Sequence, residues 1–94
     1  MKTLVETKIR TIGSDAEGWD VAINAQFLKP GWTSPRVIEY GPFQQRGARP
    51  FQTFAEMDRA VSSFLKDADS KGWDVGPLRD EWQALVLDRA RRAA

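Results

Sequence analysis

The sequence predicts an α+β fold: a three- or four-stranded antiparallel sheet covered on one face by two C-terminal helices. Three observations carry this. Two runs within residues 3–28 alternate apolar and polar side chains and are separated by a turn with Gly at each end. Behind a helix-capping signal at Thr53, apolar side chains recur every three and four positions to about Lys71. A second helical repeat follows Pro77. Strands come first and helices after, so a sheet with one apolar face meets helices with apolar stripes.

The first strand spans residues 3–12, where Val5, Thr7, Ile9 and Thr11 alternate with Glu6, Lys8 and Arg10. Gly13 to Gly18 is a polar turn. Residues 19–28 form the clearest strand. Trp19, Val21, Ile23, Ala25 and Phe27 point one way; Asp20, Ala22, Asn24 and Gln26 point the other. The short turn suits an antiparallel hairpin, whose polar side is expected to be a solvated outer face.

Lys29 to Pro35 is a loop, since Pro30-Gly31 and Ser34-Pro35 are strong turn chemistry. Trp32 at its tip either folds back to cap the core or offers a contact to a partner. Arg36 to Phe43 reads as a third strand weakened at its end by Gly41-Pro42. Ala48 to Phe51 is at most a short fourth strand on an edge.

The helix opened by Thr53 organises the rest. Thr53 and Glu56 have capping-box spacing. Phe54, Met57, Val61, Phe64, Leu65 and Ala68 build the apolar stripe, and Gly72 is a natural stop. Pro77 suits the first turn of the second helix, followed by Leu78, Trp82, Leu85 and Val86, with Trp82 placed at the contact between helices. Asp80 and Glu81 in its first turn and Arg89, Arg91 and Arg92 in its last are expected to complement the helix dipole.

Ninety-four residues make one domain, 1–94, with a single modest core. There is no Cys and no His, which removes disulfides, thiolate chemistry, the commonest general base and the commonest transition-metal ligand. No glycine loop of the phosphate-binding kind follows a strand, and the paired acids Asp67/Asp69 and Asp80/Glu81 fall on helix positions that solvation explains. No catalytic activity, metal or cofactor is therefore expected. No run approaches a membrane span and no signal-peptide layout is present, so a cytoplasmic location without membrane contact is expected.

The net charge is +1, but it is unevenly spread. Between Lys29 and Arg49 four basic residues stand against Glu39 alone; between Glu56 and Glu81 seven acids stand against four basic residues. Two candidate binding surfaces follow. One is the polar outer face of the sheet, with Lys8 and Arg10 as its cations. The other is a basic loop region holding Trp32, Arg36, Tyr40, Arg46 and Arg49, where Arg beside aromatics suits either nucleic acid or a protein interface.

At the junction of sheet and helix, Gly47-Ala48-Arg49-Pro50-Phe51-Gln52-Thr53 leads into an amphipathic helix, a Gly-containing connector and a second helix ending in Arg91-Arg92. This layout resembles small type I anti-CRISPR proteins, made of an antiparallel sheet followed by two helices. The resemblance covers element order from about Trp19 onward and carries over no functional residue. It implies a stoichiometric inhibitor from a phage or mobile element that binds a CRISPR effector complex by its surface. The strands, Phe51-x-Thr53 and helix are also similar to integrase arm-binding domains, which implies a sheet that reads nucleic acid; Glu6 and Asp20 oppose that on the face that would meet phosphates.

The best reading from sequence is thus a non-catalytic protein-binding module of the anti-CRISPR kind. The alternatives are a sheet-based nucleic-acid binder and a homodimeric accessory subunit joined through an edge strand or through leftover apolar positions such as Leu87. Monomer and homodimer both stay open.

Overall fold

A computed structural model describes residues 2–44 and 49–93. Its elements are β1 (Thr3–Ser14), β2 (Gly18–Leu28), β3 (Arg36–Tyr40), α1 (Phe54–Ser70) and α2 (Gly76–Ala93). The sheet is antiparallel with order β1-β2-β3. β2 is central because its alternation is the strictest: Trp19, Val21, Ile23, Ala25 and Phe27 are all buried. Against them pack Met57, Val61, Leu65 and Ala68 of α1, and Leu78 and Trp82 of α2. Each fully buried aliphatic or Phe side chain contributes roughly 1.5–3 kcal/mol. The least extent of the molecule is 20 Å, the thickness of one sheet carrying one layer of helices.

β1 departs from simple alternation. Its register with β2 shifts between Leu4 and Glu6. The bulge inserts one residue and inverts the parity before it. Leu4 therefore pairs with Phe27 and joins the core, while Val5, expected to face inward, is 57% exposed. From Glu6 onward the expected parity holds: Ile9 lies opposite Ile23 on the core side, and Lys8 and Arg10 lie opposite Asn24 and Ala22 on the outer side.

β3 stops at Tyr40, three residues short of the expected end at Phe43. Gly41 has φ +73°, and a Cβ there would collide with the Val21 carbonyl oxygen, so only glycine lets the chain turn this close to β2. The fourth strand shrinks to a single antiparallel bridge. The Trp19 N–H donates to the Phe51 carbonyl at 2.6 Å, and the Phe51 N–H returns to Trp19 at 3.2 Å. Ala48 lies outside the described residues.

α1 is capped at both ends as its sequence requires. Thr53 Oγ1 accepts from the Glu56 N–H at 3.1 Å. The Glu56 carboxylate reaches back one residue further than the capping box predicts, to the Gln52 N–H at 3.0 Å. At the other end the Trp73 N–H donates to the Ala68 carbonyl and the Gly72 N–H to Asp69, a Schellman motif with Gly72 at φ +89°. Thr53→Ala is expected to lower stability by about 1 kcal/mol; urea unfolding checks this, and an unchanged midpoint would mean that the cap contributes nothing.

α2 begins at Gly76, so Asp80 and Glu81 sit beyond its first turn rather than in it. Trp82 stands at the contact with α1 as expected: its Nε1–H donates to Asp58 at 2.7 Å and its ring stacks parallel to Phe54. Arg89 does not serve the helix end. Its guanidinium lies over Trp19 and Phe54, 4.6 and 4.8 Å from the ring centres, and pairs with Asp15 at 3.4 Å. That clamp ties α2 to the β1–β2 turn.

Candidate binding face

With both helices on one side of the sheet, no helix covers the opposite face among the described residues. Its outward residues are Glu6, Lys8, Arg10 and Ile12 on β1, Asp20, Ala22, Asn24, Gln26 and Leu28 on β2, and Val37 and Glu39 on β3. Two recesses lie along it. The first, about 360 Å³, is lined by Lys8, Arg10, Ala22, Asn24, Glu39 and Pro42, among others. The second, about 390 Å³, is lined by Thr3, Val5, Leu28, Lys29, Pro30 and Trp32, with Gly31. The bulge that turned Val5 outward builds this second recess.

The electrostatics of the face differ from what alternation suggests. Asp20 was expected to lie on this solvated face, but it is 0% exposed. The turn after β3 folds over it, and its carboxylate accepts from three backbone N–H groups: Val21 at 2.8 Å, Phe43 at 3.0 and 3.1 Å, and Gln44 at 3.0 Å. An extended acid opposite Ile12 thus becomes the staple of a loop, and its charge leaves the surface. The remaining acids are Glu39, which accepts from Asn24 Nδ2 at 3.0 Å, and Glu6. Among the described residues neither Lys8 nor Arg10 is in an ion pair.

The basic loop region is not brought together. Arg36 shares the inward parity of Phe27, and its guanidinium lies 4.4 Å from the centre of the Trp32 ring. Trp32 is half-buried and folds back towards Trp73, 6.5 Å between ring centres. Arg49 is at the far end of β2, where it pairs with Glu17 at 3.0 Å and its side chain is 18% exposed. Those two ends are about 30 Å apart along the strand. Tyr40 turns inward, stacks on Phe64 at 4.6 Å and meets Phe43 edge-on. Burial pushes its phenol above its ordinary pKa. Arg46 lies outside the described residues.

Of the residues picked out in the sequence, Lys8 and Arg10 share the first recess, Trp32 borders the second, and Arg36 packs on Trp32. Sequence reasoning missed Val5, Leu28 and Val37, which are 57%, 39% and 48% exposed. It also missed Trp73, which meets Phe27 edge-on at 4.9 Å and lies under Lys2. Its place directly after the Gly stop was the available signal, because an apolar residue there packs back on the helix end.

Among the described residues no group of three or more acids is placed to hold a metal ion, and no helix is long and apolar enough to cross a membrane. In comparisons with protein-family models, curated proteins and solved structures, nothing matches this chain.

Proposed function

We propose that this chain is a non-catalytic binding module that holds a protein partner on the outer face of its sheet. The observation that carries this is the makeup of that face: exposed Val5, Leu28 and Val37 at one end, and at the other Lys8 and Arg10, which form no ion pair among the described residues. Aliphatic area bordered by charge is the anatomy of a protein interface. The aromatic rings of the sheet, Trp19, Phe27 and Tyr40, are engaged in the core, so none of these three is offered on this face for bases to stack on. A stoichiometric inhibitor of the anti-CRISPR kind, seated by this face on a CRISPR effector complex, is the specific form we favour, supported by the order of strands before two helices.

A nucleic-acid reading is favoured by one observation, the withdrawal of Asp20. It removes an acid that would have repelled phosphates beside Lys8 and Arg10. One experiment separates the two. Purified chain is titrated with type I effector complexes and with duplex DNA, at low and high salt, alongside Lys8→Glu/Arg10→Glu. The protein reading expects a complex with the effector that survives high salt and is weakened at least about tenfold by the double reversal. Binding only to duplex, lost as salt rises, would replace it with the nucleic-acid reading. Absence of any effector complex would overturn the inhibitor assignment.

A further inference from the structure

The two recesses have different chemistry, and their separation sets what can fill them together. Ala22 lines one and Leu28 the other. Leu28 is six positions further along β2 than Ala22, about 20 Å at strand rise. That is the length of an α-helix of about 13 residues. The surface between them is outer sheet carrying Glu6, Asn24, Gln26 and Val37, and a helix laid on a sheet is the ordinary way to cover such a face.

The charge of the occupant follows from the cross-strand register. Opposite Arg10 is Ala22, a methyl group that cannot pair with it. Opposite Lys8 is Asn24, a neutral amide whose NH2 is already turned to Glu39. The next outward acid on β2, Asp20, is taken by the Val21, Phe43 and Gln44 amides. Two cations on successive outward positions of one strand are therefore left without a cross-strand carboxylate. Glu39 stands across Asn24 on β3, held there by its own hydrogen bond.

Resting on the outer-face reading above, we infer that the protein partner presents an amphipathic helix, with a carboxylate side chain in the Lys8/Arg10 recess and aliphatic side chains against Val5, Leu28 and Val37. The carboxylate supplies what the sheet's own register withholds. The aliphatic end covers side chains that the β1 bulge and the sheet edge leave in water. Trp32, half-buried at the rim of the second recess, gives the aliphatic end a rigid wall.

The test uses the full chain and a displayed library of helix-biased random peptides about 13 residues long, panned in parallel on the native protein, Lys8→Glu/Arg10→Glu and Leu87→Asp. Lys8, Arg10 and Leu87 are exposed, and circular dichroism establishes that each variant folds. The inference expects enriched peptides with an Asp or Glu at one end and aliphatic residues three and four apart. Their affinity should fall at least about tenfold on the double reversal and return when the peptide acid is changed to Lys. Enrichment without acids, indifference to the double reversal, or no enrichment at all would overturn it. Binding lost in Leu87→Asp but retained in the double reversal would overturn the outer-face reading as well, since Leu87 lines the groove between the helices on the other side.

Discussion

Trp82→Ala is expected to destabilise the protein by about 3–5 kcal/mol, the range for truncating a buried aromatic. Domains of this size hold only about 5–15 kcal/mol in total, so a large part of the population should unfold under mild urea. Trp82 is 2% exposed and joins three parts of the fold. It packs in the core under the sheet, stacks on Phe54 with an interplanar angle of 7°, and donates its Nε1–H to Asp58 at 2.7 Å. Alanine opens a cavity where the two helices meet and leaves the Asp58 carboxylate without that donor. Trp82→Phe keeps most of the ring volume and loses the hydrogen bond, so its cost should be smaller, about 1–3 kcal/mol. Equal costs for the two substitutions, measured as urea midpoints by circular dichroism, would show that the hydrogen bond rather than the packing dominates.

Asp20→Asn is expected to cost about 2–4 kcal/mol, because hydrogen bonds to a charged acceptor are the stronger kind and an unmade one in a buried site carries the full desolvation cost. The substitution keeps one acceptor oxygen and aims an NH2 group at backbone N–H donors. With Phe43 and Gln44 both donating to the carboxylate, the amide cannot satisfy all of them. The loss should be local as well as global. The amides of Phe43 and Gln44, whose bonds to Asp20 should protect them in the native protein, should exchange with solvent faster in the variant. If their exchange is unchanged in Asp20→Asn, the carboxylate does not hold the turn after β3.

Asp20 also shows where the sequence stops being informative. Alternation placed it correctly on the outer side of β2, opposite Ile12. What alternation cannot express is that a turn some twenty residues later comes back over that position. The parity of Leu4 and Val5 failed for a related reason: a bulge is a decision of the pair of strands, and period-two reasoning treats each strand alone. By contrast, the core face of β2, the Thr53 cap, the α1 stripe and the Gly72 stop were legible, since each depends on residues within a turn or a few positions of one another. The expected site divides along the same line. Lys8 and Arg10 were found by local alternation and share a recess. The loop cluster was assembled from nearness in sequence, and the fold sends Arg36 and Arg49 to opposite ends of β2 and turns Tyr40 inward.

The placement of strands before helices has a consequence for synthesis. The β1–β2 hairpin can pair as soon as Leu28 has emerged from the ribosome, but its core side is covered by α1 and α2, and α1 ends at Ser70, forty-two residues after Leu28. At roughly 5–20 residues per second, the nascent hairpin leaves Trp19, Val21, Ile23 and Phe27 uncovered for roughly 2–8 s before the first helix is complete. The long-range clamp of Arg89 on Asp15 closes the molecule last, across seventy-four residues. Slowing translation between Tyr40 and Ser70 with rare codons should therefore lower soluble yield, while the same codons placed within β1 should not.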